Sequence, residues 1–174
     1  VLACLRGEPT ADAQYRFATV LFTPAFRRQS FQPWLDGLDR GLAVATTPLE
    51  RARLLMVRAK LVITGERAAE GMAAADQALA LAPDDPLVVA HARTALGLGS
   101  IRSRDLEPAL VHLQATLDAL SRIDAANLES AAWNNIAVVH HIAGRASEAR
   151  AALERALPHA GNPVVRANIL LNIA

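Results

Sequence analysis

The chain has 174 residues, 18 basic and 17 acidic, for a net charge of +1, and only 4% of it is aromatic. Charge so evenly balanced leaves no electrostatic footprint for nucleic acid or an anionic membrane. A single cysteine, Cys4, excludes an internal disulfide framework and points to a cytoplasmic protein. Abundant Ala and Leu with few aromatics favour helices packed closely through small residues over a sheet sandwich. Arg, Glu, Asp or Lys interrupts every apolar stretch short of transmembrane length. Val1–Leu5 lacks the length and basic leader of a signal peptide. The chain starts on Val and stops at Ala174 without a helix-ending signal, so it reads as a piece of something longer.

Helices are predicted over about 11–22 and 33–45, forming a first, degenerate unit in residues 1–46. Six of the seven aromatics (Tyr15, Phe17, Phe22, Phe26, Phe31 and Trp34) fall within residues 15–34. They serve to seal that unit's core, with an aromatic docking surface as the alternative. Phe26-Arg27-Arg28 is too short a cluster to argue for nucleic-acid binding. Thr47-Pro48-Leu49-Glu50 then opens a helix over about 48–64. Proline suits the first helical position, and Glu50 can reach back to the cap amide. A helix over about 67–81 follows. Asp85-Pro86 opens one over about 86–97 and Asn162-Pro163 one over about 163–174, by the same proline rule. Between them lie helices at about 106–121, 128–143 and 146–157. Gly65, Gly99 and Gly144 fall where helices should stop, suiting the left-handed closing residue. No segment alternates with period two between hairpin signals, and Val88-Val89 and Val138-Val139 read as helix.

Internal repetition is the stronger signal. Ala78-Leu79 ends one unit, and Thr116-Leu117 and Ala156-Leu157 hold the equivalent place 38 and then 40 residues on. Leu170–Ala174 restates Trp133–Ala137 after 37. A period in the high thirties with two helices per unit describes an array in which each unit buries its apolar face against its neighbours.

Trp133, Ile136, Ala137, Gly144, Ala149, Leu153 and Ala156 alternate large and small residues as two closely packed antiparallel helices require. In that spacing the chain resembles the tetratricopeptide repeat family. Asn135 and Glu148 also suit its common Asn and Glu. The unit at 48–85 matches at Ala75, Ala78 and Pro83, and Gly65 fits its turn with one residue inserted before Gly71. The unit at 86–121 matches as Val88, Ala92, Gly99, Ala109, Leu113 and Thr116, with extra residues between Gly99 and Ala109. The units are longer than the family's uniform spacing of about 34. In length and composition they are similar to the helical sensor regions of large bacterial LuxR/MalT-like transcriptional regulators.

The resemblance implies an all-α, right-handed superhelical solenoid of about three to four antiparallel helix pairs. The repeat array would occupy residues 47–174 and stop within a further repeat. The first helix of each pair would line the concave face, which places Val89, Arg93 and Leu96 there from one unit and Asn134, Val138 and His141 from the next. Helix 48–64 leaves two registers open, with Leu55 or Met56 and Ala59 or Lys60. The lining lacks the dense Lys/Asn arrangement that clamps a peptide carboxylate.

No catalytic constellation is found. His140 and His141 are adjacent, about 100° apart on a helix, and cannot converge on one metal. His140 stands where the family packs an aromatic, and His141 faces the concave side. His91, His112 and His159 have no partner at ligand spacing and are expected at the surface. Gly97-Leu98-Gly99 lacks the strand, the third glycine and the lysine of a phosphate loop. Glu66/Glu70 and Asp84/Asp85 fall on solvated turns or caps, and Cys4 has no activating context. The expectation is a non-catalytic interaction scaffold without cofactor or metal, binding a protein or peptide partner or another domain of the same chain. It is not expected to contact nucleic acid or membrane directly. The alternative is the sensor part of a bacterial transcriptional regulator, its groove taking a small inducer.

Overall fold

Helix caps and small contact residues set the architecture. The computed structural model describes residues 32–64, 67–161 and 163–173. Helix α1 spans Gln32–Val44, α2 Pro48–Thr64, α3 Ala68–Leu81, α4 Pro86–Arg102 and α5 Leu106–Leu120. They are followed by α6 at Ala126–Ile142, α7 at Ala146–Ala156, a 3-10 turn at Leu157–His159 and α8 at Pro163–Ile173. The described residues contain no strand, and no helix among them is long and apolar enough to cross a membrane. The helix expected over 11–22, the five aromatics before Trp34, Cys4, Gly65, Glu66 and Asn162 lie outside the described residues.

The capping box forms as its sequence implies. The Glu50 amide donates to Thr47 Oγ1 at 3.2 Å, and Glu50 Oε2 accepts from the Thr47 amide at 3.1 Å. Asp85 Oδ1 accepts from the Val88 amide at 2.9 Å, capping α4 ahead of its proline. Gly144 closes α6 in the left-handed region at φ 73°.

Helix α4 departs from expectation: it runs to Arg102 instead of ending near Gly97, and Gly99 is buried inside it. A Cβ on Gly97 would stand 2.9 Å from Leu113 Cγ on α5. These glycines admit the neighbouring helices, and the break comes later, at Arg104 with φ 63°.

Each second helix packs on its own partner and on the next pair's first helix: α3 on α2 and α4, α5 on α4 and α6, α7 on α6 and α8. The first helices also touch in succession, α2 with α4 and α4 with α6. The cores follow the same scheme. Met56 and Ile63 of α2, Ala75 and Ala78 of α3, and Val88 and Ala92 of α4 form one cluster. Leu113 of α5, Ile136 and Ala137 of α6, Leu153 and Ala156 of α7, and Ile169 of α8 form another. No single centre serves the described chain. Burial passes from pair to pair, as helical-repeat packing requires, and each buried Leu, Ile or Met contributes about 1.5–3 kcal/mol.

At the far end the connector is fastened to the start of α6. The Gly161 amide donates to Asn127 Oδ1 at 3.3 Å, and His159 Nδ1 lies 2.8 Å from Glu129 Oε2. Helix α8 then packs on α7 and on the 3-10 turn, and a groove remains beside α6.

Candidate functional site

Positions 134, 138 and 141 recur at intervals of four and three, so they form one stripe on α6. The structure brings Asn134, Val138 and His141 together on a groove of about 450 Å³, closed by Arg150 and Leu153 of α7 and Ile173 of α8. Ala137, Ala146 and Ala149 keep its floor low because their side chains are single methyl groups. Val138 is 40% exposed, an apolar side chain presented to the groove and not to a core. Arg150 supplies the nearest cation and pairs across one turn with Glu154 at 3.2 Å. A carboxamide, an imidazole and a guanidinium rim an apolar floor, in a volume typical of ligand and peptide-anchor pockets.

Val89, Arg93 and Leu96 are not brought to this groove. Leu96 is 3% exposed and belongs to the core shared by α2, α3 and α4. Arg93 Nη1 donates to His112 Nδ1 on α5 at 3.3 Å. That bond needs an unprotonated Nδ1, and burial, reinforced by the Arg93 charge, holds His112 below its usual value. Val89 packs against the cluster of Ala90, Ala119 and Leu120. Reading Gly99 as a turn residue misplaces the α4 register. The inward stripe of α4 is His91, Thr94 and Leu98. On α2, Leu55, Met56 and Ala59 are all core residues, so neither open register holds whole, and of the four only Lys60 lines a cavity together with His91.

These residues line a second cavity, a recess of about 170 Å³ between α2, α4, α5 and α6. Its polar wall is Lys60, His91, Thr94, Thr116 and Asn135, and Leu98 and Leu128 face it. The Thr94 hydroxyl donates to the Ala90 carbonyl at 2.8 Å, and the Thr116 hydroxyl to the His112 carbonyl at 3.1 Å. Burial lowers the Lys60 ammonium from its usual range. Burial first, and the Lys60 charge second, lower His91 to about 4, so its ring is neutral near pH 7. His91 is half-buried in the wall of this recess and not the surface residue expected. The interval of three and then four through 91, 94 and 98 is the sequence signal for this stripe.

His140 is half-buried, near Trp133 and Arg155. The Arg155 guanidinium carbon lies 4.9 Å from the Trp133 ring centroid. Among the described residues no group of three or more His, Cys, Asp or Glu is placed to hold a metal ion.

No family model and no curated protein matches the chain. Among solved structures, that of BtubC (BKLC) from P. vanneervenii is similar, with a TM-score of 0.72 over 90% of this chain and 68% of that one. Sequence identity is 18%, so the likeness is one of fold.

Proposed function

We propose that the chain is a non-catalytic interaction scaffold that seats a segment of a protein partner, or of a neighbouring domain, in the groove at Asn134, Val138 and His141. The observation that carries this reading is the groove itself: an exposed apolar side chain and two hydrogen-bonding side chains above a floor of alanines. Such a surface suits an apolar anchor residue flanked by backbone amides and carbonyls. In this reading the helix pairs are tetratricopeptide-like repeats wound into a right-handed solenoid, behind a degenerate unit at residues 1–46. The contacts between successive first helices support a curved stack with those helices on its inner side.

The test compares Val138→Asp and His141→Ala with Val111→Asp, a control on α5 where Val111 is 67% exposed. All three should keep the wild-type melting temperature, since each site is exposed. The two groove variants should lose a purified partner's binding and the control should keep it. Equal binding by all three proteins would remove the groove from the reading.

A further inference from the structure

We propose that Lys60 is a covalent binding site, at which the recess between α2, α4, α5 and α6 captures a short aliphatic aldehyde as an imine. The recess and the outer groove share no lining residue. The proposal therefore stands whether or not a protein partner occupies the groove.

The choice of residue is the first argument. Of the chain's 18 basic residues, 17 are arginine, and Lys60 is the single lysine. Where a fixed positive charge suffices, this sequence uses a guanidinium, which keeps its proton under all ordinary conditions. A primary amine adds what arginine lacks: once its proton is gone, a lone pair that attacks carbonyl carbon. The one amine side chain of the protein lines a cavity where α2, α4 and α6 converge.

The surroundings are the second. Lys60 is engaged within the fold, and the proposal asks for no spare charge, since the nucleophile is the neutral amine. Burial lowers the ammonium from its usual range, which raises the neutral fraction at a given pH above that of an exposed lysine. His91, on the same wall, is near enough for the Lys60 charge to act on its ring, and it is itself neutral near pH 7. Desolvation of a lysine in a small, largely apolar pocket is the usual means of making its amine a nucleophile.

Shape and bond chemistry are the third. At about 170 Å³ the recess is close to the ~150 Å³ that accommodates benzene, so about four or five carbons fit beside the amine. Leu98, Leu128, Ala90 and Ala131 line it and suit an aliphatic tail. The hydroxyls of Thr94 and Thr116, 3.3 Å apart, donate to backbone carbonyls and keep lone pairs to accept from a hydroxyl formed beside them. In the step itself Lys60 Nζ bonds to the carbonyl carbon and the π pair moves to oxygen. Both amine hydrogens pass to that oxygen, the C–O bond breaks and water leaves, with a C=N bond remaining. Amine and aldehyde give imine and water, and no oxidant or reductant enters.

Sodium cyanoborohydride, which reduces an imine to a stable secondary amine, traps the adduct on the full chain at pH 7. Isovaleraldehyde should alkylate Lys60 at least about tenfold faster than Nα-acetyl-lysine amide in the same solution, read by peptide mass spectrometry. The chain's α-amino group serves as an internal reference. In guanidinium chloride the Lys60 rate should fall to that of the model amine, a comparison that needs no variant. 2-Naphthaldehyde, too large for the recess, should show no preference for Lys60 over the model amine. Lys60 labelled no faster than the model amine in the folded chain, a preference that survives unfolding, or an equal preference with 2-naphthaldehyde would each overturn the proposal.

Discussion

A Cβ built on Gly99 of α4 stands 2.5 Å from Cγ and from Sδ of Met72 on α3, so these helices meet through a missing side chain. Gly71 on α3 is tighter in kind: its Cβ would fall 2.4 Å from Ile63 Cγ1 and 2.7 Å from the Ala59 carbonyl oxygen of α2. Met72 is an unbranched, adaptable chain, whereas a helical carbonyl cannot step aside. Alanine also gains about 1 kcal/mol over glycine from helix propensity alone. Gly99→Ala should therefore stay within about 1 kcal/mol of wild type, and Gly71→Ala should lose about 1–3 kcal/mol. Urea unfolding of both variants measures the difference, and equal losses would contradict the contrast between side chain and backbone.

Ala137 is 3% exposed and sits in a cluster with Ile136, Leu153 and Ala156. A leucine there would add three carbons at the methyl-sized contact between α6 and α7, beneath the groove. Ala137→Leu should cost about 1–3 kcal/mol. Ala151→Leu, on an exposed position of α7, should change stability by no more than about 0.5 kcal/mol. Thermal melts of the pair decide the matter: an unchanged midpoint for Ala137→Leu would break the register assigned to α6.

Local features were legible in the sequence and distant ones were not. The Thr47–Glu50 box and the Asp85 cap close over three residues, so the sequence that specifies them is contiguous. The α6 register was legible because Trp133, Ile136 and Ala137 carry the large and small order that the α6–α7 contact requires. That placed Asn134, Val138 and His141 on one stripe. In α4 the same logic failed. Gly97 and Gly99 look locally like stops, and only Leu113 on α5 and Met72 on α3 explain why they lie inside a helix. The lost register carried Arg93 and Leu96 onto the wrong face and hid His91. The recess lies deeper still from view, because Lys60, His91 and Asn135 meet only through stacking of three helix pairs.

His91 makes stability depend on pH in one direction. Its pKa falls from 6.5 to about 4 on folding. Between those values the unfolded chain binds the proton and the folded one does not, so stability rises with pH across the window. The contribution is complete above 6.5 and is lost as pH falls to about 4. A shift of this size corresponds to at most about 3 kcal/mol. His112 and His140 are also lowered by burial and act in the same sense, so the wild-type curve alone does not isolate His91. Subtracting His91→Gln does, because the other two titrate in both proteins. Wild type should lose about 3 kcal/mol more than His91→Gln between pH 7 and pH 4, read from urea midpoints at each pH. A gap that stays constant across that range would mean that the His91 ring titrates in the folded protein as it does in water.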